Sequence, residues 1–185
     1  MQTRDYDGFE DADIGEWTYG LPQVYRSPRC GKLTIGKFCS IASGVTIALL
    51  ADHRQTDITT YPFADNEDWP EIEAFQHERS PMPSLKNVTI GNDVWIGDKA
   101  TLLAGANVGD GAIVGACCVV AGKVRPYAIV RGNAIEEIRR RFDDEQVEKL
   151  LKMKWWDWEI EKIREHLKLI TGQDVDKLYE AWREF

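Results

Sequence analysis

From Ile90 the chain divides into sixes: IGNDVW, IGDKAT, LLAGAN, VGDGAI, VGACCV, VAGKVR. The first position of each unit is a branched aliphatic residue: Ile90, Ile96, Leu102, Val108, Val114 and Val120. The second is mostly glycine, at Gly91, Gly97, Gly109 and Gly115, and the fifth is small or β-branched: Val94, Ala100, Ala106, Ala112, Cys118 and Val124. An earlier stretch keeps the frame, with IGKFCS from Ile35, IASGVT from Ile41, and then Ile47. A period of six fits neither an α-helix nor a half-buried strand, whose periods are 3.6 and 2. It fits short extended segments that bend at every sixth residue and turn one large aliphatic side chain inward per segment. Stacked coils of such segments pair through backbone hydrogen bonds about 4.8 Å apart and bury a column of Ile, Leu and Val. Glycine after each inward residue is expected to serve the backbone conformation of a corner. The small fifth residue lets that corner close without overpacking. The pattern predicts a mainly β solenoid.

Two regions leave this frame. Between Ile47 and Ile90 lies an insertion, taken as residues 49–86, that carries Pro62, Pro70, Pro81 and Pro83 and no helical stripe. A loop this long inside a compact solenoid usually serves function. After Val130 the pattern turns helical. Asp143 or Asp144 can cap a helix whose apolar face is Val147, Leu150, Leu151 and Trp155. Asp157 can cap a second helix through Ile160, Ile163 and Leu167, and Asp174 a third that ends near Trp182. Trp155, Trp156 and Trp158 read as a hydrophobic plug between these helices and the solenoid, in keeping with the weight aromatics carry in cores. Such a tail would also cover the solenoid's open end. The expected organisation is a β-solenoid domain over residues 1–135, with the insertion, and a helical extension over 136–185.

Composition narrows the function classes. A formal charge of -8 argues against general nucleic-acid or anionic-membrane binding. No stretch approaches the roughly 18 consecutive apolar residues of a membrane span, and the acidic opening MQTRDYDGFEDADIGEW does not read as a secretory signal. The four cysteines, Cys30, Cys39, Cys117 and Cys118, match no metal spacing and make a poor disulfide set. They are expected to be free, buried thiols in a reducing cytoplasm.

Only three histidines are present, His53, His77 and His166. His53 lies at the start of the insertion, in LLADHRQTDITTYPF, and imidazole is the side chain best suited to taking a proton near neutral pH; beside Asp52 and Arg54, the alternative on the residues alone is a solvated loop histidine. Scattered in this way, the three form no ligand-like pair, so no metal is expected.

The blocks LTIGKFCSIASGVTI, ADHRQTDITTYPF, VTIGNDVWIG, RPYAIVRGN and KMKWWDW resemble the xenobiotic acetyltransferase family of hexapeptide-repeat acyltransferases, from about Tyr19 to Ile170. That resemblance implies a left-handed parallel β-helix with three hexapeptides per coil, usually assembled as a homotrimer with active sites between subunits. It implies that His53, in the family's His-Arg…Tyr-Pro-Phe loop, is the general base. This base would deprotonate a hydroxyl of a small-molecule acceptor, such as chloramphenicol or streptogramin A, which attacks the thioester of acetyl-CoA directly. Tyr19, Tyr61 and Trp95 would then line the acceptor pocket; for Tyr19 and Trp95 plain packing is the alternative role.

Coenzyme A carries phosphates, and residues 121–141 hold Lys123, Arg125, Arg131, Arg139, Arg140 and Arg141 against only Glu136 and Glu137, a local charge of +4. Lys123, Arg125 and Arg131 are the candidates for the phosphates. The alternative for Arg139 to Arg141 is an ordinary solvated helix start. The family arrangement would put the pantetheine arm along Gly115, Ala116 and Ala121. Here the chain departs from the family pattern: Ala121 and Gly122 stand where threonine and lysine are usual, and Ala134 and Glu136 where proline and lysine are usual. The competing functions are a sugar or polysaccharide-precursor acyltransferase and a non-catalytic binding or scaffold solenoid.

Overall fold

The computed structural model describes residues 2–27, 29–50, 53, 57–63, 67–71, 73 and 84–184. The chain winds into a left-handed parallel β-helix with three flat faces. One face stacks β1 (Asp13–Ile14), β3 (Leu33–Ile35), β6 (Val88–Ile90), β9 (Asn107–Val108) and β12 (Lys123–Val124). The second stacks β4 (Ser40–Ile41), β7 (Trp95–Ile96), β10 (Ile113–Val114), β13 (Ala128–Arg131) and β14 (Glu136–Arg140). The third stacks β2 (Gln23–Arg26), β5 (Thr46–Leu49), β8 (Thr101–Leu103) and β11 (Val119–Val120). All these pairings are parallel except β13 with β14.

The register explains the period. Ile14, Ile35, Ile90, Val108 and Val124 are in line on the first face. Ile41, Ile96, Val114 and Val130 follow one another on the second. Val24, Ile47, Leu102 and Val120 do so on the third. Each six-residue step moves the chain one face onward, and three steps return it to the starting face. The inward side chains of the repeat, with Val94, Ala100, Ala106, Ala112 and Cys118 behind them, are buried in one core. Val124 departs from expectation. It pairs with Val108 and so occupies a first position, because the step from Val120 is four residues long.

The glycines also act differently from the sequence reading. Gly36, Gly91, Gly97, Gly109 and Gly115 are not left-handed. They are small because the next coil passes against them: a Cβ on Gly97 would lie 2.6 Å from the Ala116 nitrogen. The left-handed residue of the turn is instead the fourth of the unit, as at Asp93, Lys99, Gly105, Gly111 and Cys117. At the corner between the first and second faces this position holds Trp17, Phe38, Asp93, Gly111 and Tyr127, and each coil donates a backbone N–H to the one before. A side chain in this conformation is strained, and here three aromatic ones stand along one corner.

The helices of the tail pack on that corner, while its first residues, 136–140, pair with the last strand of the coil. Phe38 meets Trp155 at 4.9 Å, Tyr127 meets Phe142 at 5.7 Å, and Lys37 pairs with Asp157 at 2.9 Å. Arg141 donates to the Gly111 carbonyl at 2.7 Å and approaches Asp93 at 3.4 Å, where burial pushes the Asp93 carboxyl up to about 6 against the pull of Arg141. Behind these contacts Trp156, Val147, Leu150, Met153, Val175 and Leu178 form a second core. The helices are α1 (Asp144–Met153), α2 (Ile160–Glu165), α3 (Leu167–Ile170) and α4 (Val175–Trp182). Asp143 and Asp174 cap α1 and α4, accepting from the Gln146 and Lys177 nitrogens at 2.8 and 3.0 Å. Asp157 caps nothing and is held by Lys37; Glu159 precedes α2 without a side-chain bond. Residues 136–140, read on sequence as part of the helical extension, form a strand that closes the edge of the second face. No described helix is long and apolar enough to cross a membrane.

Candidate active site

His53 follows β5, the last strand before the insertion, and is exposed. Its Nδ1 lies 2.7 Å from the Thr60 carbonyl oxygen. A carbonyl only accepts, so Nδ1 carries the proton and the neutral ring keeps its lone pair on Nε2. The hydrogen bond thus orients the imidazole and selects the tautomer with a basic outer nitrogen. Sequence reading could not find Thr60, because its contribution is a backbone oxygen. Thr60 directly precedes an aromatic string in which Tyr61 meets Phe63 at 4.7 Å and Phe63 meets Trp69 at 5.2 Å. Tyr61 itself is exposed.

Tyr19 and Trp95 stand on the second face in one register line. Tyr19 is bridged to Ser40, and Ser40 is paired with Trp95. Two rungs of about 4.8 Å separate the aromatic pair along the face. Both point away from the core, with 56% and 53% of their surface exposed. Packing within the chain therefore leaves about half of each ring open. No described hydrogen bond or ring contact joins them to His53. His77 lies outside the described residues, and His166 sits in the tail, its Nδ1 2.9 Å from the Lys162 carbonyl oxygen.

The basic segment is divided by the fold. Arg140 donates to the Pro126 carbonyl and pairs with Asp144, while Arg141 holds the tail corner, so both serve structure. Arg125 forms a two-pronged ion pair with Glu137, Nε to Oε2 at 3.0 Å and Nη2 to Oε1 at 2.5 Å. Arg131 reaches one oxygen of Glu136, with both contacts at 3.4 Å. Lys123 is exposed on β12 and makes no ion pair among the described residues. Ala116 and Ala121 are exposed, whereas the Gly115 N–H is already donated to the Val130 carbonyl at 2.9 Å. Nothing lies within 4 Å of a Cβ placed on Gly122, so the usual lysine of that position leaves open space here.

The four thiols are free, but only Cys39 and Cys118 are buried; Cys30 is partly so, and Cys117 is exposed at a corner. Burial pushes the Cys39 thiol up to about 11 and raises that of Cys118. Neither is a ready thiolate nucleophile. Among the described residues no group of three His, Cys, Asp or Glu is arranged to hold a metal.

A parallel β-helix of six-residue units, with a histidine loop inserted between coils, defines a hexapeptide-repeat transferase. Residues 87–122 match the model for Bacterial transferase hexapeptide (six repeats). The chain is 42% identical over 154 residues to a chloramphenicol acetyltransferase of Agrobacterium fabrum, covering 82% of this chain and 72% of that one. It is 39% identical over 154 residues to a virginiamycin A acetyltransferase of Staphylococcus aureus, covering 80% and 66%. A galactoside acetyltransferase solved in complex with coenzyme A has the same fold, with a TM-score of 0.51 at 23% identity; the match spans 73% of this chain and 62% of that one. The chain belongs to the xenobiotic acetyltransferase family of hexapeptide-repeat acyltransferases. It is an acyltransferase.

Proposed function

We propose that the protein transfers the acetyl group of acetyl-CoA to a hydroxyl of a small molecule, an antibiotic such as chloramphenicol or a streptogramin A, with His53 as general base. The observation that carries this reading is the 2.7 Å bond from His53 Nδ1 to the Thr60 carbonyl, which leaves Nε2 as an oriented base. Nε2 takes the hydroxyl proton as the acceptor oxygen attacks the thioester carbonyl carbon. The carbon–sulfur bond then breaks, and the imidazolium returns the proton to the departing CoA sulfur. The tetrahedral oxyanion needs an N–H donor, for which a backbone amide of a neighbouring coil is suited. Transfer is direct, in keeping with thiols that burial holds protonated at Cys39 and Cys118.

The acceptor lies against Tyr19, Tyr61 and Trp95, all three with exposed rings. A homotrimer with active sites between subunits would give those rings a wall. Light scattering is expected to return a mass three times that of one chain; a monomer would remove the shared site. Pantetheine runs along Gly115, Ala116 and Ala121, and Lys123, Arg125 and Arg131 meet the phosphates. Converting these three cations to glutamine together is expected to weaken CoA binding by about 10-fold or more, the scale of several charge-assisted contacts. Unchanged affinity by calorimetry would assign the phosphates elsewhere. The activity is tested by release of CoA thiol from acetyl-CoA in the presence of chloramphenicol, a streptogramin A and nucleotide sugars. Turnover with one of the antibiotics supports the reading, and turnover with sugars alone would replace it with a sugar acyltransferase.

A further inference from the structure

The strand β14 sets two glutamates against Arg125 and Arg131, two of the three cations proposed above for CoA phosphates. It pairs antiparallel with β13, matching Glu136 to Arg131 and Glu137 to Val130, and the register then slips past Ile138. Glu137 engages Arg125 through both carboxylate oxygens, at 3.0 and 2.5 Å. A carboxylate in this fork presents the same two acceptors, to the same two donors, that a phosphate would. Arg125 is more than half exposed, at 58% of its side chain, whereas Glu137 is 28% exposed. The guanidinium therefore faces solvent while its binding edge is occupied from within the chain. Glu136 holds Arg131 less closely, through one oxygen at 3.4 Å. Each arginine is thus paired with a glutamate of β14: Arg131 with its partner across the strands, and Arg125 with Glu137 from outside the strand pair.

We infer that Glu137, and more weakly Glu136, act as built-in phosphate surrogates that compete with the donor for Arg125 and Arg131 and so set this enzyme's affinity for phosphate-bearing acyl donors. The inference rests on the donor reading of the proposed function and deepens it. For CoA phosphate to take the Arg125 fork, the glutamate must swing away and remain as an uncompensated negative charge beside the ligand. Removing that charge frees the fork and ends the repulsion. An ion pair this exposed is weak, so the competition is a moderate tuning of affinity and not a block. The Glu137 carboxyl is held below its ordinary range, first by its hydrogen bond to Arg125, so it remains a competitor across neutral pH.

The test is calorimetric titration at low ionic strength with CoA and, separately, with pantetheine, which has no phosphate. Wild type is compared with Glu137→Gln, with Glu137→Asp, which keeps the charge but shortens the fork, and with Glu161→Gln. The last removes an equal charge from an exposed residue of α2. Glu137→Gln is expected to bind CoA about 2–5-fold tighter, with pantetheine unchanged and Glu137→Asp in between. Equal tightening by Glu161→Gln would reduce the effect to net charge and overturn the inference. CoA binding by wild type that does not respond to Glu137→Gln overturns it too, while leaving the donor assignment standing. No CoA binding by wild type or any variant overturns both. Should Glu137→Gln lose its fold, Glu137→Asp carries the comparison.

Discussion

Replacing His53 with alanine is expected to lower kcat for acetyl transfer by about 10²–10⁴-fold, the usual contribution of a positioned general base. The acceptor hydroxyl is a poor nucleophile until its proton leaves, and the imidazole supplies an oriented lone pair at Nε2 because Nδ1 is bound to the Thr60 carbonyl. Removing the ring removes the base without removing donor contacts, so CoA affinity should stay near that of wild type. Stability should stay near wild type as well, since His53 is exposed and its one described hydrogen bond is to a loop carbonyl. The measurement is the rate of thiol release with saturating acceptor, with CoA binding and thermal midpoint followed beside it. Turnover by His53→Ala at the wild-type rate would end the assignment. A loss of rate accompanied by an equal loss of CoA binding would make the residue structural.

The second large effect is expected at Gly97. Its N–H bonds the Val114 carbonyl at 2.8 Å, and an added Cβ would lie 2.6 Å from the Ala116 nitrogen and 2.9 Å from the Gly115 carbonyl carbon. Those are main-chain atoms of the next coil, held in their own ladder, so no flexible side chain can move to relieve the contact. Gly97→Ala should therefore destabilise the fold by about 1–3 kcal/mol or more, the cost of overpacking a filled interior. That is a large part of the stability of a domain this size. The clash also lies two residues from Trp95 on the same coil, so acceptor binding should suffer with stability. Gly122→Ala is the companion variant. Nothing stands within 4 Å of its Cβ and its φ is not left-handed, so a gain of about 0.4–1 kcal/mol is expected from the stiffer unfolded chain. Denaturant midpoints at matched protein concentration compare the two. Equal midpoints would show that closeness between coils is not what requires glycine at the second position.

The period of six was enough to determine the coil, its inward columns and the place of the insertion, because one aliphatic residue per face is a local requirement repeated along the chain. Asp143 and Asp174 were legible as helix caps for the same reason, since a cap bonds a residue three positions away. His53 was legible as a residue through its resemblance to a family loop, but the carbonyl that gives it a basic nitrogen was not. What the tertiary structure decided concerns neighbours about one coil apart in sequence, or farther, and rungs apart in space. Gly97 is small because of Ala116, Tyr19 lines up with Trp95, and Val124 takes a first position only because it pairs with Val108. The helical part of the tail follows the corner of Phe38, Gly111 and Tyr127, and residues 136–140 become a strand because β13 offers an unpaired edge. That strand brings Glu137 to Arg125, so a cation that reads as free along the sequence has its donor edge occupied. Periodicity reports which side chains face inward; which coil passes beside which is set by the length of each step between faces, and that appears only once the chain has closed on itself.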